Sequence, residues 1–223
     1  MIGSSHFKGV FQDKVDRFFT LNFTPGIKVY GEKIIIDGND EFREINPRKS
    51  KLGAALVKGI SQIGIKPGSL VLYLGCSTGT TISHVSDIIG SDGFVFGLDF
   101  APRVMRDMVF VAEARKNIAP ILADANLPKS YLNRVFLVDV VYQDIAQKNQ
   151  VQIFLKNCSM YLKTGGFGLL FVKARSIDVT KKPTLIFDAV RKDLELDASM
   201  IIVDYKTLDP LEKDHCVFVC KKK

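Results

Sequence analysis

The stretch Leu70-Val71-Leu72-Tyr73-Leu74-Gly75-Cys76-Ser77-Thr78-Gly79-Thr80-Thr81-Ile82 decides the fold. Its first five residues are apolar without alternation, the mark of a strand covered on both faces. Gly75 and Gly79 bracket a turn, and Ile82, Val85, Ile88 and Ile89 then recur at helical spacing. Strand, glycine turn and helix in that order open a βαβ unit. The unit repeats downstream: residues 94–99, 119–124, 135–144 and 168–173 read as strands, and 103–116, 149–163 and 184–194 as helices. Pro183 is placed to start the last helix. Upstream, Ser50 reads as a helix cap ahead of Leu52, Ala55, Leu56, Ile60 and Ile63. The expectation for residues 50–223 is a doubly wound, Rossmann-like α/β domain.

Both ends break the rhythm. Residues 199–205 and 216–220 are strand-like, but the connection between them is too short for a crossover helix. The seven-stranded sheet should therefore end in an antiparallel hairpin. Residues 1–49 carry Pro25, Gly31, Gly38 and Pro47 around short runs such as Lys33-Ile34-Ile35-Ile36, which predicts a small N-terminal β domain.

Composition bounds the rest. With 47% hydrophobic and 25% charged residues the chain is globular, and a disordered or coiled-coil reading is excluded. No run approaches the roughly 18 apolar residues of a membrane span. The first fifteen residues include Lys8, Asp13 and Lys14 and no apolar core, so no secretory signal is expected and a cytoplasmic location is. The net charge of +7 is spread thinly apart from Lys221-Lys222-Lys223, and it fits a polyanionic partner as well as it fits a lysine-rich surface. Cys76 and Cys158 stand alone in the sequence, and Cys216 and Cys220 on one strand would be roughly 13 Å apart. No metal site is expected, only reduced thiols.

Ligands of open α/β sheets bind outside the carboxyl ends of the strands. That rim receives Gly75, Asp99-Phe100, Asp124-Ala125, Asp144 with Gln147 shortly after, and Lys173. An antiparallel last strand brings its first residue, His215, to the same edge. The glycine turn is G-x-x-x-G and lacks the middle glycine with which a G-x-G-x-x-G turn approaches a pyrophosphate. Asp99 is spaced to meet ribose hydroxyls, and Asp124, one strand further out, an adenine amino group. An adenosine ligand without phosphates fits this pattern, and S-adenosylmethionine is the common one.

The glycine-turn stretch, extended through Ser83-His84-Val85-Ser86-Asp87-Ile88-Ile89-Gly90, resembles the signature of the fibrillarin family. So do Ala123-Asp124-Ala125, Asp144-Ile145-Ala146-Gln147, Lys173-Ala174-Arg175-Ser176-Ile177-Asp178 and Glu212-Lys213-Asp214-His215. The likeness is collinear over nearly the whole chain, and without a Gly/Arg-rich amino-terminal tail it is closest to the archaeal form. The resemblance implies an S-adenosylmethionine-dependent 2′-O-methyltransferase of rRNA and tRNA within a box C/D ribonucleoprotein. Its implied partners are guide and substrate RNA, a Nop-domain scaffold protein and a kink-turn-binding protein of the L7 family. The implied location is the cytoplasm for the archaeal type and the nucleolus for a eukaryotic source.

Carried over by position, the resemblance implies cofactor contacts at Gly75, Thr80, Thr81, Asp99, Phe100, Asp124, Ala125, Asp144, Ile145, Ala146 and Gln147. Thr80 and Thr81 open a helix whose N–H groups would hold the methionine carboxylate. The implied catalytic set is Lys51, Asp144, Lys173 and His215. Within it Lys173 is expected to be the base, desolvated beside Lys51 and oriented by Asp144. The sequence departs from the family at Cys76-Ser77-Thr78, where smaller residues are usual, at Ile45, where a tryptophan is usual, and at Asp99, where Glu is usual. Asp keeps the carboxylate and shortens its reach. Two other readings stay open: a nicotinamide-dependent oxidoreductase, and a non-catalytic RNA-binding subunit on the same fold.

Overall fold

A computed structural model describes residues 2–223. Five short strands come first: β1 (Gly3–Ser4), β2 (Val10–Gln12), β3 (Phe18–Leu21), β4 (Ile34–Asp37) and β5 (Asp40–Glu44). They form one antiparallel sheet in the order β1-β2-β3-β5-β4. Then follow α1 (Lys51–Val57), β6 (Leu70–Leu74), α2 (Thr80–Ile89), β7 (Phe94–Asp99), α3 (Pro102–Ala114), β8 (Ile118–Leu122), β9 (Val138–Asp144) and α4 (Gln150–Tyr161). The chain ends with β10 (Leu162–Lys173), α5 (Ala174–Ile177), α6 (Pro183–Leu196), β11 (Met200–Thr207) and β12 (His215–Lys222).

The large sheet has the order β11-β12-β10-β9-β6-β7-β8. β6 through β10 are parallel, and β12 lies antiparallel to both β10 and β11, the closing hairpin expected from the short 208–214 connection. From β6 the chain winds outward to β7 and β8, then returns to β9 on the other side. The crevice between β6 and β9 is thus the switch point at which such sheets bind ligands. β10 starts at Leu162, ahead of the predicted 168, because Leu162 already pairs with Val138 before an irregularity that spans Gly165 and Gly166. The sequence expectation places residues 164–167 between the helix and the strand. In space they are a bulge within one strand.

Apolar side chains fill both faces of the large sheet. One layer joins Leu52, Leu56, Ile82 and Val85 of α1 and α2 to Tyr73, Tyr142, Phe171 and Val217. The other joins Phe154 of α4 and Phe187 of α6 to Leu72, Val141, Leu170 and Phe218.

Helix α2 has almost no solvent face. Its apolar stripe meets the large sheet as predicted, while Ser83, His84 and Asp87 are buried against residues of the small sheet and Ser86 against Arg115 and Asn117. Asp87 is the hub there. Its Oδ2 accepts from Arg43 Nη1 at 2.6 Å and from Thr20 Oγ1 at 2.7 Å, and its Oδ1 from Arg115 Nη1 at 2.5 Å and Phe23 N at 3.0 Å. Arg43 also donates to Glu32 Oε1 at 2.6 Å and to Ser83 Oγ at 2.9 Å. Buried charges are tolerated only when paired and hydrogen-bonded in this way.

The same network fixes the state of His84. Thr20 spends its one proton on Asp87, so its oxygen accepts from His84 Nδ1 at 2.8 Å, and the bare Nε2 accepts from the Tyr30 hydroxyl at 2.7 Å. The imidazole is neutral. Burial, with Arg43 and Arg115 beside it, pushes its pKa well below 6.5. The unfolded chain therefore binds a proton below about pH 6.5 that the folded chain refuses, so this contribution is complete above that pH and is lost as pH falls. One such proton costs at most about 1.4 kcal/mol per pH unit, or about 3–6 °C in a chain of this size. Thermal unfolding at pH 7 and pH 5 should show a steeper loss for the native chain than for His84→Gln. Equal slopes would remove His84 as the cause.

Candidate active site

The period-two geometry of strands builds the site. Tyr73, Tyr142 and Phe171 stand on adjacent strands with ring centroids 4.2 Å and 4.8 Å apart, a stacked aromatic floor. Two residues further along the same face of each strand come Gly75, Asp144 and Lys173. Lys173 pairs directly with His215 across the β10–β12 ladder, which puts both side chains on that face. Lys51, the first residue of α1, reaches over the floor, and its Nζ lies 2.8 Å from Asp144 Oδ2. Lys51, Asp144, Lys173 and His215 meet at one corner of the sheet.

Their pairing differs from the expectation in one respect. Asp144 orients Lys51 and not Lys173. The Lys173 side chain is exposed and meets no acceptor among the described residues, so the desolvation expected of it is absent. The cross-strand register delivers Lys173 to the edge of the sheet, where nothing covers it. His215 is the buried member of the set, 8% exposed, and its Nδ1 donates to the Lys213 carbonyl at 2.6 Å. Burial lowers its pKa below 6.5, the Lys51 cation adds to the effect, and the Lys213 hydrogen bond opposes it. The neutral ring keeps its lone pair on Nε2.

Beside this corner a cavity of about 260 Å³ opens between the ends of β6, β7 and β9. Gly75, Asp99, Phe100, Asp124, Ala125, Asp144, Ile145, Ala146 and Gln147, nine of the positions singled out in the sequence, line it together. Gly75 is obligatory: its φ is +84°, and a Cβ there would run into the Asp144 carbonyl oxygen and lie 2.8 Å from Ile145 Cγ2. Asp99 is anchored by Ser77 N at 3.0 Å and Ala101 N at 3.1 Å, and Asp124 accepts from Asn126 N at 2.8 Å. Phe100 is 64% exposed at the mouth.

Thr80 and Thr81 lie outside the lining. They start α2, and Thr81 Oγ1 donates to Ser50 Oγ at 3.1 Å, the same oxygen that accepts from Gly53 N to cap α1. The starts of the two helices thus share one hydroxyl. The lining also takes in Ser77, Leu98 and Ile153, which the sequence reading missed. Ser77 was legible as part of the glycine turn; Leu98 and Ile153 look like any core residue.

Among the described residues no group of three or more His, Cys, Asp or Glu is placed to hold a metal ion, and all four cysteines are free and buried. No helix among them is long and apolar enough to cross a membrane.

A family profile described as Fibrillarin matches residues 3–223. The chain belongs to the fibrillarin family. It is 49% identical over 220 residues to the fibrillarin-like rRNA/tRNA 2′-O-methyltransferase of Thermococcus onnurineus, covering 97% of this chain and 96% of that protein. Aeropyrum pernix fibrillarin, solved with natively bound S-adenosyl-L-methionine, superposes with a TM-score of 0.90 at 42% identity, covering 99% of this chain and 97% of that one. The chain of a fibrillarin/Nop5p complex superposes with a TM-score of 0.86 at 35% identity, covering 99% of this chain and 100% of that one.

Proposed function

We propose that the chain is an S-adenosylmethionine-dependent ribose 2′-O-methyltransferase acting on rRNA and tRNA as the catalytic subunit of a box C/D guide ribonucleoprotein. One observation carries the reading. The cavity is lined by three carboxylates, Asp99, Asp124 and Asp144, and by no lysine, arginine or histidine, and it opens beside the Lys51, Asp144, Lys173 and His215 corner. Carboxylates suit ribose hydroxyls, an adenine amino group and a cationic sulfonium; they repel a pyrophosphate. The oxidoreductase reading loses its support there. The volume lies just under the roughly 300 Å³ at which small-molecule pockets begin, which fits the adenosine portion. The methionine portion would extend past Gly75 toward the start of α2, where the N–H groups of Thr80 and Thr81 would receive its carboxylate.

S-adenosylmethionine supplies an activated methyl group. What the chain contributes is placement of a ribose hydroxyl in line with that methyl, and removal of its proton. Asp144 holds Lys51 in place, and Lys51 and Lys173 present two cations where the phosphates flanking the hydroxyl would lie. Proton removal falls to His215 in this reading. It is neutral near pH 7, its Nδ1 is fixed, and Nε2 is free to accept. The sequence pattern favoured Lys173, and the two assignments separate in a pH profile. With His215 as base, single-turnover transfer rises with pH through an inflection below 6.5 and is flat above pH 7. A rate that keeps climbing above pH 8 would return the role to a lysine.

The scaffold partner is a Nop-domain protein, with a kink-turn-binding protein of the L7 family and a guide RNA completing the assembly in the cytoplasm. Base pairing then selects the nucleotide. Reconstitution with these components and mapping of methylated ribose tests the whole reading. Cofactor binding without any guided transfer would leave the chain as a non-catalytic subunit.

A further inference from the structure

Gln150, the first residue of α4, is fully buried and touches both halves of the site. Its Nε2 donates to the carbonyl of Gln147, in the loop that lines the cavity, at 2.9 Å and reaches the Lys173 carbonyl at 3.5 Å. Its Oε1 accepts from Lys173 N at 3.3 Å. The start of α4 is itself steadied from β9, because Gln143 Nε2 donates to the Gln150 backbone carbonyl at 2.6 Å.

The reason for this arrangement lies in the ladder. β9 and β10 pair only as far as Asp144 and Phe171, after which the chain leaves the sheet to form the cavity loop. Backbone groups alternate sides along a strand, and Ala174 N already bonds Asp214 O toward β12. The N–H and C=O of Lys173 therefore face the place where β9 has ended. The Gln150 amide, one acceptor and one donor in a plane, stands in for the missing strand residue.

We infer that Gln150 is a positioning residue that couples the cofactor loop to the backbone of Lys173, so that a ligand ordering residues 145–147 also fixes the catalytic lysine. The inference rests on the reading of Lys173 as part of the methyl-transfer corner. Two variants test it in the full chain. Gln150→Leu removes all three side-chain bonds; it should weaken S-adenosylmethionine binding about tenfold by calorimetry and lower single-turnover transfer in the assembled complex by about tenfold or more. Gln150→Glu keeps the acceptor for Lys173 N but, when ionised, has no proton for the Gln147 carbonyl. Its cofactor affinity, relative to the native chain at each pH, should recover as pH falls and the carboxyl regains its proton. A merely structural glutamine would give no such recovery.

Binding and transfer within twofold of native for Gln150→Leu, or a Glu variant whose relative affinity ignores pH, would overturn the inference. If Gln150→Leu fails to fold, the pH response of the Glu variant decides alone. Failure of the native complex to transfer methyl while binding cofactor would instead strike the proposed function, and the calorimetric comparison would still report on the coupling to the loop.

Discussion

Asp144→Asn is expected to slow methyl transfer in the reconstituted complex by about a thousandfold, the middle of the range for removing one oriented charged group from a reaction centre. The substitution keeps the shape of the side chain and removes its charge. Lys51 then loses the partner that holds it 2.8 Å away, and the cavity loses one of its three carboxylates. Single-turnover transfer from methyl-labelled cofactor at saturating concentration is the measurement, and a rate within tenfold of native would take Asp144 out of the catalytic set. Lys51→Met should lose a comparable amount, and the double variant little more than either. Residues that act as one unit are not additive.

The largest expected effect on stability lies at a residue outside the site. Asp87→Ala leaves Arg43 and Arg115, 0% and 1% exposed, without their shared carboxylate. Breaking a buried pair by removing one partner costs about 3–5 kcal/mol, which for a chain of this length is a loss of about 6–20 °C in Tm. Calorimetric melting of the native chain and Asp87→Ala checks it, and a shift under about 3 °C would mean that water reaches the two guanidinium groups. His84→Gln should cost less, since it removes a neutral partner.

The large sheet was legible because its signals are local. Leu70–Leu74 is apolar on both faces, α2 carries a clean helical stripe, and the short 208–214 connection admits only a hairpin. The rim was legible for the same reason: Asp99, Asp124, Asp144 and Lys173 each end a strand or lie just past one, where topology alone predicts a ligand. What escaped was anything decided by distant partners. His84 reads as a packing or hydrogen-bonding residue, which it is, but nothing near it in the chain shows that Thr20, Tyr30 and Arg43, far upstream, supply the partners for it and for Asp87. Whether Asp144 pairs with Lys51 or Lys173 depends on how α1 crosses the sheet, which no spacing encodes. Gln150 reads as an ordinary polar residue near a helix start. Its only signal is company: Gln143, a polar side chain that follows the run Val140-Val141-Tyr142 inside a strand, points to a buried partner nearby.

Because Lys173 and His215 face each other as a ladder pair, their separation is set by backbone register and is independent of the turn that joins β11 to β12. Evolution can redecorate residues 209–212, for instance to meet a different protein or RNA, at little cost to the chemistry, while Lys213 and Asp214 stay tied to it through the carbonyls that hold His215 Nδ1 and Ala174 N. A slip of one residue in β12 has the opposite character: it would exchange Val217 and Val219 with Phe218 and Cys220 between two differently packed layers and turn His215 to the other face, so the packing of both layers guards the catalytic alignment. Variation in this part of the molecule is thus channelled into the turn, and the reacting corner is inherited with the fold.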